Sequence, residues 1–240
     1  MSRIKYIKIY EDLKHKIEQD IYKYQELLPS ENKLVKEYDC SRNTVRRAIK
    51  ELIDQGYVQT KHGQGVRVIY QEFKQNEYMF GETETFKQFA IRNKKHYRTE
   101  VVTFQELTVD EHIHEITTIP AGVEVYYLQR VRYLDGTPLI MDYNYFRKDV
   151  VKGLTVDIAE DSIYEYLARE LDQKAVTAKR KMTVEKATDM DEKYLSLDGY
   201  NCVVVVTSHI FNADGVMFER TQSRHMPGDF VFFDQTQRRG

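Results

Sequence analysis

The sequence predicts an α+β protein of two domains, and three observations carry that expectation. Apolar residues recur at three- and four-residue spacing near the N-terminus, strand-like runs separated by turn residues dominate the rest, and charge is divided unevenly between the two parts. Residues 1–70 hold 14 Lys+Arg and 10 Asp+Glu, a net of +4, and the remainder holds 22 and 28, a net of -6, which together give the overall -2. A basic module joined to an acidic one is the simplest account. With 240 residues, 41% of them hydrophobic, the chain can bury two cores.

No run of about 18 apolar residues occurs, and Met1 to Tyr10 lacks the apolar stretch of a signal peptide, so a cytoplasmic location is expected. Cys40 and Cys202 lie far apart and form no CxxC pair, which predicts two reduced thiols.

Ile9, Leu13 and Ile17 repeat every four residues, with Tyr6 and Tyr10 beside them, and predict an amphipathic helix over about residues 5–20. After Leu28-Pro29, Ser30 stands as an N-cap, Glu31 puts an acid in the first turn, and Leu34, Val35 and Tyr38 give a short second helix its apolar face. Asp39-Cys40 makes a tight turn. Ser41 then caps a third helix, in which Val45, Ala48, Ile49, Leu52 and Ile53 form one apolar face and Gly56 marks the end. Its other face carries Arg42, Arg46, Arg47 and Lys50, with Asn43 and Thr44 in the first turn. Tyr57–Thr60 and Val66–Ile69 read as two strands joined by the basic tip Lys61-His62-Gly63-Gln64-Gly65.

Two helices, a short turn, an arginine-bearing helix and a hairpin follow one another in the order of a winged helix-turn-helix, whose third helix enters the major groove of DNA. Arginine can pair with guanine O6 and N7, Asn43 with an adenine edge, and Ser41 and Thr44 with phosphate oxygens. Taken singly, an arginine face is equally a solvated helix surface, and glycines equally close a hairpin. The combination Leu28-Pro29-Ser30-Glu31, Ser41 to Ala48 and Lys61 to Gly65 resembles the GntR family of bacterial regulators over nearly all of residues 5–69. That resemblance implies DNA contacts from Glu31, Ser41, Arg42, Asn43, Thr44, Arg46, Arg47, His62, Gly63 and Gln64. Asn32 departs from the pattern, since many relatives carry arginine there, and implies a missing phosphate or base contact.

The predicted boundaries are a DNA-binding domain at 1–70, a linker at 71–77 and a second domain at 78–240. Strand-like runs in the second domain span Glu100–Leu107, Glu124–Leu134, Leu139–Phe146, Thr177–Glu185, Cys202–Phe211, Val216–His225 and Phe230–Phe233. Turns at Asp135-Gly136-Thr137-Pro138 and Asn212-Ala213-Asp214-Gly215 suggest hairpins, hence an antiparallel sheet with helices packed on it. Alternation places Arg130 and Arg132 on the face of Leu128 and Leu134. Arginines there either await an anion or pair with internal acids such as Asp142 and Glu219. Ser162 can cap a helix beside Tyr164, and Thr85 another before Phe86, each offering a hydroxyl and free N–H groups to an anion.

Thr83 to Phe89, Arg130-Val131-Arg132, Met141 to Phe146, Ser162-Ile163-Tyr164, Phe218 to Thr221 and Phe230 to Phe233 resemble the ligand-sensing domain of the HutC branch of that family, over roughly residues 78–240. The resemblance implies a fold like that of chorismate lyase. Asp142 to Lys148, Ser162 to Tyr166 and Thr221 to His225 further resemble branch members that control sugar use, trehalose operons among them. That likeness implies a homodimeric repressor released from its operator by a sugar phosphate, trehalose 6-phosphate first, with an amino-sugar phosphate or a carboxylate as alternatives. Arg130, Arg132, Ser162, Tyr164 and Thr85 would hold phosphate or sugar oxygens, Asp142 and Glu219 would accept sugar hydroxyls, and His225 would join the effector site. Twofold symmetry would place half-sites about 34 Å apart on a palindromic operator.

His112 and His114 diverge on a predicted helix and make a poor metal pair. With no glycine-rich nucleotide loop and no nucleophile elbow, neither an enzyme nor a metal or other cofactor is expected.

Overall fold

The structure is a computed structural model that describes residues 2–61, 63–71 and 85–232. The described residues fall into two compact units that divide within the stretch 72–84. The expected linker lies almost wholly in that stretch, so it falls outside the described residues, as does His62.

In the first unit, α1 (Ser2–Glu18), α2 (Glu31–Glu37) and α3 (Arg42–Asp54) precede β1 (Val58–Lys61) and β2 (Gly65–Val68). Ile9, Leu13 and Ile17 of α1 pack on Leu34, Val45, Ala48, Ile49 and Leu52, with Val58 and Val68 closing the core from the hairpin. The side chains of Ser30 and Ser41 accept hydrogen bonds from the backbone N–H groups of Lys33 and Thr44, as N-caps do. Past α3, Gly56 takes a left-handed φ of 75°, the conformation that turns a chain out of a helix. The first helix starts earlier than its periodicity suggested and stops at Glu18. Tyr57 is not a strand residue: its ring stacks on Tyr70 at 4.7 Å and its hydroxyl donates to Glu18 at 2.7 Å. A single bridge from Leu27 to Arg67 ties the loop before α2 to the two-stranded wing.

The second unit is built on a six-stranded antiparallel sheet in the order β3-β4-β5-β8-β7-β6. Its strands are β3 (Tyr97–Thr108), β4 (Glu124–Leu134), β5 (Thr137–Arg147), β6 (Thr177–Lys186), β7 (Cys202–Phe211) and β8 (Met217–His225). The helices are α4 (Phe86–Arg92), α5 (Glu111–Thr117), α6 (Val156–Asp161), α7 (Ile163–Glu170) and α8 (Asp189–Tyr194). Asp135 and Gly136, with φ of 50° and 84°, make the two-residue turn between β4 and β5, where both central residues must be left-handed to match the strand twist. One face of the sheet packs Tyr126, Leu128, Phe146 and Phe218 against Ile163 and Leu167 of α7. Elsewhere Val131, Met141, Val203 and Val205 are covered by Tyr194 and Leu195, at the end of α8.

Among the described residues, the strand expected at 230–233 does not form. Pro227–Asp229 form a 3-10 turn, and Phe230, Val231 and Phe232 join no ladder. Phe230 instead sets its ring 5.1 Å from His225, edge to face, so its aromatic area is buried by ring contact rather than by strand pairing.

Candidate functional site

On α3 the core takes Val45, Ala48, Ile49 and Leu52, which leaves Arg42, Asn43, Arg46, Arg47 and Lys50 in solvent on the opposite arc. Ser41 caps the helix start, and its hydroxyl meets that of Thr44 at 2.8 Å. Two of the arginines are held by consecutive residues of α2. Glu31 accepts from Arg46 Nε with both oxygens, at 3.1 and 3.0 Å, and Asn32 Oδ1 accepts from Arg42 Nη2 at 2.9 Å. Arg47 lies over the Tyr6 ring at 4.0 Å, braced on α1. At the wing, Gly63 has φ of 70° with nothing within 4 Å of where a Cβ would stand, and the Gln64 N–H closes the turn on the Lys61 carbonyl at 2.9 Å. Chemically this is a positive, hydrogen-bonding helix face beside a hairpin tip whose backbone can approach closely.

The second unit contains a cavity of about 760 Å³ whose lining includes Thr85, Arg130, Arg132, Ser162, Tyr164 and Glu219. Six of the eight residues expected at an effector site therefore meet at one cavity. Thr85 accepts from the Gln88 N–H and Ser162 from the Glu165 N–H, so both are N-caps as anticipated.

Arg130, 5% exposed, donates from Nε to Asn144 Oδ1 at 3.0 Å and from Nη1 to the Ala159 carbonyl at 3.2 Å. Asn144 donates in turn to Thr221 Oγ1 at 2.7 Å, and Thr221 donates to Glu219 Oε1. Tyr164 donates to the other oxygen of Glu219 at 2.5 Å. Burial, and then the neighbouring Arg132, bring Arg130 down to about 10. Burial also raises the Glu219 carboxyl, while burial and then Glu219 raise the Tyr164 hydroxyl. Along the wall, Lys87 of α4 is paired with Asp161 at 2.6 Å and Glu165 at 2.9 Å.

Asp142 and His225 stand elsewhere. Asp142, 1% exposed, is not on the cavity lining: it accepts from Arg132 Nε at 2.5 Å and from Ser223 Oγ at 2.5 Å, and lies 3.7 Å from Arg130 Nη2. Burial alone would raise its carboxyl, but Arg132 and then Arg130 hold it below its ordinary value. Internal pairing of the arginines is thus realised through Asp142, and the charge of Glu219 adds to it at Arg130. His225 lines a separate, smaller cavity of about 260 Å³ with Phe86, Phe89 and Phe230, and burial lowers its ring to about 4. Asn144, Thr221, Ser208 and Ser223 line the larger cavity without having been expected there. Glu219, Thr221 and Ser223 fall two apart on β8, so a polar alternation on a buried strand face was the available signal.

A helix-turn-helix with a wing, and a sheet domain that encloses a cationic, hydroxyl-rich cavity, define a DNA-binding transcription regulator with an effector domain. The sequence matches the family described as bacterial regulatory proteins, gntR family, over residues 5–68, and the UTRA domain over residues 92–230, and the chain belongs to that family, in its HutC-type branch. It is 35% identical over 98% of both chains to the HTH-type transcriptional regulator TreR of Bacillus subtilis (strain 168), and 26% identical to the regulator GmuR of the same strain over 95% of this chain and 96% of that one. Among solved structures, the effector binding domain of the B. subtilis trehalose repressor superposes with a TM-score of 0.54 at 33% identity, covering 60% of this chain and 99% of that one. The possible transcriptional regulator YydK of B. subtilis superposes with a TM-score of 0.80 at 20% identity, over 97% of this chain and 99% of that one, a likeness of fold. Among the described residues no helix is long and apolar enough to cross a membrane.

Proposed function

We propose that this regulator represses a sugar-utilisation operon and is released from a palindromic operator by a sugar phosphate, with trehalose 6-phosphate as the effector. The observation that carries the reading is the convergence of Arg130, Arg132, Thr85, Ser162 and Tyr164 on one cavity with the carboxylate of Glu219. Guanidinium groups and hydroxyls suit phosphate oxygens, and a carboxylate suits sugar hydroxyls. Similarity to a trehalose repressor along nearly the whole chain supports the same sugar. In this reading Asp142 and His225 do not touch the effector: Asp142 orients the two arginines from behind, and His225 belongs to the neighbouring cavity. The protein acts as a homodimer, with α3 of each copy in the major groove of one half-site and the wing tip, His62 included, at the adjacent minor groove. An effector shifts the balance between DNA-bound and free forms only by its difference in affinity for the two.

A thermal-shift titration with trehalose 6-phosphate, trehalose, glucose 6-phosphate and glucosamine 6-phosphate tests the effector. A ligand at 100 times its dissociation constant stabilises by about 2.7 kcal/mol. The expected result is a selective rise with trehalose 6-phosphate that also lowers operator affinity. A flat response, or a larger rise with glucosamine 6-phosphate, rejects that sugar.

A further inference from the structure

The two arginines that α2 holds are held by chemically different groups. Arg46 meets a carboxylate, Glu31, so much of its charge is compensated before any DNA arrives. Arg42 meets a neutral amide, Asn32, which fixes the direction of the guanidinium through one hydrogen bond and leaves its full charge uncompensated. Four positions separate the arginines, so they lie about one turn apart on the exposed arc of α3, while their holders are adjacent in sequence. Asn32 lies within the first turn of α2, behind the Ser30 cap, where its side chain is spared a role in the core of the unit. From Arg42 it takes one hydrogen, at Nη2, which leaves one two-donor edge of the guanidinium for a guanine.

We infer that Asn32 is a specificity-determining positioning residue: it sets the direction in which Arg42 reads its base pair and does so without touching the DNA itself. This rests on the reading of α3 as the groove helix, and the experiment separates the two. By sequence alone, position 32 implies only a lost contact. The geometry gives it a different task, since an arginine at position 32 would place a second cation beside Arg42 where an acceptor now stands. An acid there would have the opposite effect, making Arg42 a compensated copy of Arg46.

The test begins with the full-length wild-type protein and a random duplex DNA library. The selected sequence is then measured with every single base-pair substitution, for wild type, Asn32→Ala, Arg42→Ala and the double variant. Asn32→Ala removes one hydrogen bond to a charged group from an exposed position, so an affinity loss of about 3- to 10-fold is expected, confined to the base pair at which Arg42→Ala loses its preference. In the Arg42→Ala background the second change should add nothing, because a positioning residue has nothing left to position. Asn32→Asp should also flatten the salt dependence, lowering the slope of log affinity against log salt by about one. Each of three results would overturn the inference: a changed preference at a different base pair, a further loss in the double variant that reveals a direct DNA contact, or an Asn32→Ala protein indistinguishable from wild type. If no sequence is selected, or if Arg42→Ala keeps every preference, α3 is not the reading helix and the inference falls with that assignment.

Discussion

Arg46 on α3 keeps 59% of its side chain in solvent and leans on a single acid, Glu31, that is itself 36% exposed. Arg130 on β4 is 5% exposed and divides its donors between an amide and a backbone carbonyl, with Asp142 behind it. The same residue type therefore works under opposite physical conditions in the two units. An exposed arginine is hydrated until DNA strips it, so its holder costs little and stabilises little. A buried arginine must be compensated continuously, and Asp142, with both oxygens engaged, is what allows two guanidinium groups to sit under one cavity. The difference teaches that charge on α3 is disposable for folding, whereas charge on the sheet belongs to the fold as well as to the site.

The largest expected effect falls on that compensation. Asp142→Ala leaves Arg130 and Arg132 without their buried partner and should destabilise the effector unit by about 3–5 kcal/mol in urea unfolding, with phosphate-containing ligand restoring part of the loss. If the variant unfolds like wild type, the distinction between the two kinds of arginine collapses.

Acid sharpens the same contrast. The His225 ring has an ordinary value of 6.5 and is lowered to about 4 by burial. Between those values the unfolded chain binds a proton that the folded chain does not. The stability present above pH 6.5 is therefore lost as the pH falls towards 4, by about 3 kcal/mol at most. Unfolding followed from about pH 7 to about pH 4 should show this loss in the effector unit, and His225→Gln should reduce it. An acid response unaltered by that substitution would place the sensitive group elsewhere.

The smallest effect is expected on the first unit. Glu31→Ala should change the stability of the first unit by no more than about 1 kcal/mol, since it breaks a surface pair, while Arg46→Ala should cost about 1–3 kcal/mol of specific operator binding. A first unit that unfolds when Glu31 is removed would make its exposed pair structural and erase the contrast in kind between the two arginines.

How far these features were legible depended on the range of the interactions. Helix α3 was readable because its signals are local: a cap at Ser41, buried Val45, Ala48, Ile49 and Leu52 at helical spacing, and a left-handed Gly56. The alternation that put Arg130 and Arg132 on one face was equally local. Whether those arginines wait for an anion or lean on an acid was not, because the partner is fixed by cross-strand register, which sets Arg130 opposite Asp142 and Asp142 opposite Ser223. The same register keeps Asp142 on the face of Arg130 and Ser223, which line the cavity, and the side chains bonded to it bury it beneath that lining. Residues 230–232 misled for another reason: an aromatic run reads as a strand, yet burial against the His225 ring satisfies the same side chain. Helices α6 and α8, with six residues each, are too short for periodicity to declare them.

The hydrogen-bonded chain on the cavity floor has a direction. Arg130 gives a hydrogen to Asn144, Asn144 gives one to Thr221, and Thr221 gives one to Glu219, so every hydrogen points the same way along the row. Its two ends are therefore unlike: a cation with donors at one, and an acceptor at the other. In the proposed reading a guest sits with its oxyanion towards the arginine and its hydroxyls towards the glutamate. A mimic that carried phosphate at both ends would be turned away by its second charge, and a competitive blocker would need the asymmetry of the row built into its own skeleton.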